Sequence, residues 1–399
     1  MGKIVPGLVG LISIPIFLRL FGVTVYGEFA LIYSLFLLSI TSVTGWLTQG
    51  IIRFYNETNN KSFFRKTIFI VTFKLITLSL VLTLPILVYF NYSGIFFIIV
   101  VVLSLYLAAC FTVSIAIHQA KFEAKKIILA DSFRAIFFIT TPVVLFFISP
   151  LLALFFGVLL SFLAGFIFLN LRNCINIQFK SVLSFPIRTN IDSQNIIKQL
   201  WAYGWPLAIW FFLATLLNIS DRFIIDYYYG LEKAGEYSAI YDVFSKVFKF
   251  LLAPAITAIF PILVKLSDEK KSNDLLKKVI IYELLVFSLL ILTLIFFKDF
   301  LITDVFKFKN AHDVEPIVIP IFIGSFLWQL SILVHKPLEL KKETIKMLWA
   351  VLFATIVNLT LNLIFIPIYG YIAAAYTTIM GSVVYIFSIS LINYQYYND

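Results

Sequence analysis

Charge is scarce in this chain. Only 13% of its 399 residues are charged, about half the roughly 25% of an ordinary soluble domain. The polar side chains are too few to cover a water-facing surface around a chain that is 61% hydrophobic, with mean hydropathy +0.99. The bilayer is therefore the solvent for most of it. Cysteine is nearly absent too. Cys110 lies in an apolar run and Cys174 in a basic loop, which excludes a disulfide framework and a zinc site. The three histidines, His118, His312 and His335, are scattered without metal-ligand spacing, and no cofactor is expected. Alternation of polar and apolar residues is missing from the apolar runs, which argues against a membrane β-barrel. No small-residue cleavage site follows the first apolar stretch, so no cleavable signal peptide is expected. That stretch is short before Arg19, as if the gene began upstream.

What is present is a series of long apolar runs, each near the roughly 20 residues that a helix needs to cross the hydrocarbon core. They predict an all-α polytopic membrane protein with about 12 transmembrane helices. The first six spans are 4–22, 29–52, 67–90, 94–117, 127–148 and 150–171. The second six are 201–220, 236–263, 279–297, 315–335, 347–367 and 371–393. The eighth span is long, and Pro254 and Pro261 are expected to kink or end it. The connection 172–200 is polar, carries Pro186, and divides the chain into an N-terminal six-helix lobe (1–171) and a C-terminal six-helix lobe (201–399).

The loops after the even-numbered spans hold 20 of 26 loop lysines and arginines. By the positive-inside rule those loops, the 172–200 connection and both termini are cytoplasmic. The formal net charge of +10 thus reads as topology. Spread over five loops, it gives no support to nucleic-acid binding. An internal repeat supports the division into halves: Gly27–Phe36 aligns with Gly235–Phe244 at an offset of 208, with five of ten pairs identical. Six spans per half give both copies one orientation, related by an axis along the membrane normal.

Three motifs run in order along the chain. The first is Ile14-Pro15-Ile16-Phe17-Leu18-Arg19-Leu20-Phe21-Gly22 with Tyr26-Gly27. The second is Ser220-Asp221-Arg222-Phe223 through Gly230 to Gly235-Glu236-Tyr237-Ser238. The third is Asn358-Leu359-Thr360-Leu361-Asn362-Leu363-Ile364-Phe365-Ile366-Pro367-Ile368-Tyr369-Gly370, closing with Ala373-Ala374-Ala375. Together they resemble the polysaccharide-transport branch of the multidrug/oligosaccharidyl-lipid/polysaccharide exporter superfamily, and within it the O-antigen and capsule repeat-unit flippases. The resemblance implies two lobes around a central cavity. It also implies a flippase that moves a polyprenyl-diphosphate-linked oligosaccharide across a bacterial inner membrane by alternating access.

Ionisable groups at membrane depth are costly and usually face a bundle interior or a wet cavity. Asp242, Lys246 and Lys249 fall at i, i+4 and i+7, on one face of the eighth span. Asp131 and Arg134 are spaced i, i+3 near the start of the fifth. Lys74 stands alone in the third, and Arg19 and the pair Asp221/Arg222 lie near the outer ends of the first and seventh. These nine residues are candidates to line a cationic cavity for an anionic lipid head group. Each has a plainer reading. Lys74 fits snorkelling to the cytoplasmic face, Asp131 and Arg134 fit a structural ion pair, and Pro6, Pro15, Pro206 and Pro254 fit ordinary kinks as well as cavity-lining bends.

The leading function is a flippase, not an enzyme. Its expected partners are the lipid-linked oligosaccharide, membrane lipids and other polysaccharide-assembly proteins. A cation-coupled drug antiporter would favour an acidic cavity, whereas the charges above lean cationic. A membrane polymerase or glycosyltransferase needs a large outer loop or clustered carboxylates, and the longest outer loop, 298–314, is short.

Overall fold

The computed structural model describes residues 4–89, 94–170, 191–265, 269–309, 311–341 and 343–398. Most of the 172–200 connection, with Cys174, lies outside the described residues. Among those described, every regular element is helical. In chain order the helices are α1 (Ile4–Phe21), α2 (Val23–Phe54), α3 (Lys61–Tyr89), α4 (Ile95–Ala120), α5 (Ala124–Val144) and α6 (Pro150–Asn170). Then come α7 (Ile191–Lys265), α8 (Glu269–Phe300), α9 (Ala311–Val334), the short α10 (Lys336–Leu340), α11 (Thr344–Tyr369) and α12 (Ile372–Asn398). A π-helical turn, Leu301–Phe306, extends α8 into the expected outer loop.

Ten of the described segments are long and apolar enough to cross a membrane, and α1 is a shorter apolar helix. One of the ten covers both arms of α7, which breaks at Gly230 (φ 79°, ψ 173°). Counted as two arms, α7 brings the crossings among the described residues to eleven, and the shorter α1 makes a twelfth apolar helix. The second arm continues through Pro254 and Pro261 to Lys265, so those prolines do not end it. The break needs a left-handed residue, which glycine supplies without the cost of a Cβ. Gly22, between α1 and α2, has the same conformation at φ 85°. The two glycines are 208 residues apart, the offset of the sequence repeat.

The residues gather into two compact units. One comprises residues up to Val9 and Ile32–Thr215; the other comprises Gly10–Leu31 and Leu216 onward. Inside the first, the later part of α2 packs on the first arm of α7. Trp46, Leu47, Ile51, Leu200 and Leu207 form a buried cluster with residues of α3 and α4. Small residues let the backbones approach, as is usual between helices in lipid: Gly45 lies under the ring of Phe211, Gly50 under Leu200 and Gly204 under Trp46. The hydroxyls of Thr41 and Thr215 lie 2.9 Å apart.

The second unit contains a closer approach. A Cβ on Gly27 would lie 2.2 Å from the carbonyl oxygen of Leu231, and one on Gly235 would lie 2.3 Å from that of Val23. Val23 and Leu231, like Gly27 and Gly235, are separated by 208 positions. The two copies of the repeat therefore cross backbone to backbone with local two-fold symmetry. Farther along the unit, Phe248 of α7, Phe287 of α8, and Phe322 and Phe326 of α9 form a stack in which the Phe287 and Phe326 centroids are 4.2 Å apart.

Backbone atoms cannot move aside as a side-chain tip can, so the crossing sets a steric expectation. Gly27→Ala and Gly235→Ala should each cost at least the ~1–3 kcal/mol of an overpacked core. Melting of the purified protein in detergent measures this. Gly94→Ala, at the helix-cap position before α4 where an added Cβ would make only an ordinary contact, should leave the melting temperature nearly unchanged.

Candidate functional site

Asp221 and Arg222 sit where the first arm of α7 crosses the second, and both are buried. Arg222 donates from Nη2 to Asp242 Oδ1 at 2.6 Å, and its guanidinium lies 5.3 Å from the centre of the Tyr241 ring. The Tyr26 hydroxyl donates to the other oxygen of Asp242 at 2.8 Å. Asp221 accepts from the Arg222 backbone N–H at 2.9 Å, from the Tyr237 hydroxyl, and from Thr378 Oγ1 at 3.3 Å. A buried charge is tolerable only when paired and hydrogen-bonded. Here one arginine and three hydroxyl donors satisfy two carboxylates, tying α2, both arms of α7, and α12 together.

The polar network continues into α11 and α12. Asn358 donates to the Thr377 carbonyl at 3.0 Å, Asn362 donates to Asn358 Oδ1 at 3.2 Å, and Thr377 Oγ1 donates to Asn362 Oδ1. These asparagines belong to the third sequence motif, which supplies the interior polar contacts of this helix pair. At the start of the second arm, Lys233 Nζ lies 3.1 Å from Glu236 and 3.0 Å from Asp313, over the ring of Tyr371.

The stripe Asp242, Lys246, Lys249 changes character along its length. Asp242 belongs to the buried network. Lys246, one turn on, is half-buried and donates to the Gly10 carbonyl of α1 at 3.0 Å. Lys249 is exposed. The chain brings Asp221, Arg222, Asp242 and Lys246 into one neighbourhood of the second unit, with Lys249 at its open end.

The other candidates stand apart. In the first unit Arg134 Nε donates to Asp131 at 2.8 Å, and the guanidinium packs near Phe111 and Phe162. Lys74 is exposed on α3. Arg19, at the end of α1, donates to the carbonyls of Asp304 and Val305 in the π-turn. It borders a cavity of about 420 Å³ whose charged lining is Glu232, Glu236, Lys307 and Lys309. Outside the spans, at the α4–α5 turn, Lys126 donates to Glu123 at 2.9 Å and holds its carboxyl below the usual carboxylate range.

The candidate set read from sequence omits Glu283 of α8, which is wholly buried. The signal was a single carboxylate inside the apolar run 279–297. Among the described residues no group of three or more His, Cys, Asp or Glu is placed to hold a metal ion.

Helices of this length and arrangement, with charges paired inside, define a multi-pass membrane protein. The chain belongs to the family described as polysaccharide biosynthesis protein, whose profile matches residues 1–267. Its fold is that of the lipid II flippase MurJ in an inward closed conformation (TM-score 0.72, 17% identity, covering 98% of this chain and 86% of that one). It is likewise that of an inward-facing multidrug resistance MATE family transporter of the MOP superfamily (TM-score 0.70, 12% identity, 99% and 94% covered). Among curated proteins it is 25% identical over 207 residues to an uncharacterized membrane protein of Methanocaldococcus jannaschii. That match takes in 51% of this chain and spans about two-fifths, 41%, of the relative's length.

The buried pair yields an expectation. Asp242→Ala leaves Arg222 buried without its counter-charge and should lower stability by ~3–5 kcal/mol. Arg222→Met combined with Asp242→Leu should recover part of that loss, short of the wild type because Asp221 then lies buried without a cation. Thermal unfolding of the wild type and the two purified variants is the measurement. A double variant no better than Asp242→Ala would show that the partners do not act as a pair.

Proposed function

We propose that this protein is a flippase that carries a polyprenyl-diphosphate-linked oligosaccharide, an O-antigen or capsule repeat unit, from the cytoplasmic to the outer leaflet of a bacterial inner membrane. The observation that carries the reading is Lys249. It is an exposed cation on a membrane-crossing helix face, and no described side chain hydrogen-bonds or ion-pairs with it. A lysine at such depth costs a few kcal/mol on insertion scales, and a diphosphate group offsets that cost by supplying the missing anion. Lys246, one turn away, adds a second donor. Membership of the polysaccharide biosynthesis family and the fold shared with a lipid II flippase support the same reading.

In this proposal two six-helix lobes surround a central cavity and alternate its access between the two faces. Both termini and the 172–200 connection are cytoplasmic, and other polysaccharide-assembly proteins supply and receive the substrate. A cation-coupled drug antiporter, which would favour an acidic cavity, is the competing reading, supported by the fold shared with a multidrug resistance transporter. The excess of cations over carboxylates along the α7 stripe weighs against it, since like charges repel.

The experiment is complementation of a deletion strain, with surface polymer normalised to membrane abundance of each variant. Lys246→Ala or Lys249→Ala should reduce display severalfold, the matching arginine changes should retain more, and the double alanine should fall near the deletion level. Lysine-to-glutamate changes should be worst, because they repel the diphosphate. Full display by the double alanine at normal abundance would refute the assignment of these lysines. A deletion that removes no surface polymer would refute the substrate class.

A further inference from the structure

We propose that Glu283 is a proton-binding site: it carries a proton in the conformation described, and that proton locks α8 onto its neighbours. The idea goes beyond the flippase reading and uses no sugar substrate.

α8 is the least buried of the crossing helices, with most of its apolar surface facing outward. Ile281, Tyr282, Leu284 and Leu285 are all exposed, yet Glu283 among them has no exposed surface. The helix thus holds to the rest of the second unit by a narrow face, and a carboxyl group lies in the middle of it. One turn toward the outer end, Phe287 stacks on Phe248, Phe322 and Phe326. One turn the other way, Val279, Leu275 and Leu276 pack with Ile256, Ile259, Leu263 and Leu333. Above and below, the environment is hydrocarbon.

Neither carboxyl oxygen of Glu283 has a hydrogen-bond partner among the described residues. Among the described residues, the acidic, basic and histidine side chains of the helices packed against it are Glu232, Lys233, Glu236, Asp242, Lys246 and Lys249 on the second arm of α7, and His312, Asp313, Glu315 and His335 at the ends of α9. None of them hydrogen-bonds or ion-pairs with Glu283. On its own helix Lys277, Lys278 and Tyr282 point to the exposed side. The buried polar groups of α9 are Ser325, whose hydroxyl also has no partner, Gln329 and Ser331; all are neutral.

An ionised carboxylate buried with neither a cation nor a donor carries a desolvation cost that nothing here offsets. A metal ion is a poor balancing charge, because hard cations require several oxygen ligands and among the described residues no group of three or more His, Cys, Asp or Glu is placed to hold one. A bound proton removes the charge with no further ligand. It also has a route. Glu283 lies about one turn inside the apolar stretch that begins at Val279, roughly 6 Å along the helix, next to the end where Lys277 and Lys278 meet water. The exchange balances simply: the neutral acid gives its proton to water and becomes a carboxylate. The carboxylate then has to reach water, which pulls the narrow face of α8 away from the two clusters.

Three measurements on the full-length protein in lipid nanodiscs test this. The difference infrared spectrum of wild type against Glu283→Gln at neutral pH should contain the carbonyl stretch of a protonated carboxyl in an apolar setting; its absence overturns the proposal. Independently of any variant, the apolar reagent dicyclohexylcarbodiimide, which adds to carboxylic acids and not to carboxylates, should modify Glu283, as mapped by peptide mass spectrometry. Failure to modify Glu283 while other carboxyls react also overturns it. Finally, amide hydrogen exchange across 279–287, corrected for the intrinsic effect of pH, should rise severalfold in the wild type between about pH 6 and pH 9 and stay flat in Glu283→Gln. An equal rise in both proteins would leave the lock without support and refute it.

Discussion

The crossing of Gly27 and Gly235 is the contact on which much else in the second unit depends. Where a Cβ would fall within 2.2 Å of a facing carbonyl oxygen, only hydrogen fits, and the two backbones meet without side chains between them. In lipid there is little hydrophobic force between helices, so close packing and polar contacts have to supply cohesion. The crossing provides the first and makes the second available. With α2 held against the second arm of α7, Tyr26 reaches Asp242, and Asp242 in turn receives Arg222 from the first arm. The left-handed glycines at positions 22 and 230 deliver the chain to this point from both sides.

The interior electrostatics are arranged in order of distance from that crossing. Asp221, Arg222 and Asp242 satisfy one another with help from Tyr26, Tyr237 and Thr378. Lys246 is satisfied in part by a backbone carbonyl. Lys249 is exposed. A gradient from closed network to open cation gives the helix a paired end and an exposed end. Glu283 is the counterpart on α8, a group whose charge is governed by a proton and not by a partner. Both cases follow from one constraint: in a low-dielectric interior a charge has to be matched, exposed or titrated away.

Much of this was legible in the sequence. The apolar runs located the spans, and the repeat at offset 208 marked Gly27 and Gly235 as equivalents. Their mutual contact was not legible, because a repeat shows likeness and says nothing of touching. The Arg222–Asp242 pair was hidden for a similar reason. Arg222 stands at the edge of one apolar run and Asp242 inside the next, and only the sharp turn at Gly230 folds one back on the other. Pro254 and Pro261 suggested a helix end, yet the helical run continues through them. In lipid a lost backbone hydrogen bond is not replaced by water, and neighbouring helices sustain such a segment. Glu283 stands inside the apolar run 279–297, but a lone carboxylate with only Val279, Ile280, Val286 and Phe287 at helical spacing does not reveal whether its face is buried.

The symmetry of the glycine crossing also bears on descent. A chain with two like halves most simply arises by duplication of a shorter gene, and the halves then drift apart; five of ten positions in the best-preserved stretch remain identical. At most positions either copy drifts alone. At Gly27 and Gly235 a side chain on either copy meets the backbone of the other, since each is the wall against which the other rests. An ancestral half whose glycine met that of a second, identical chain would have assembled as a homodimer about a two-fold axis. The crossing is the seam that such an assembly would leave inside one polypeptide.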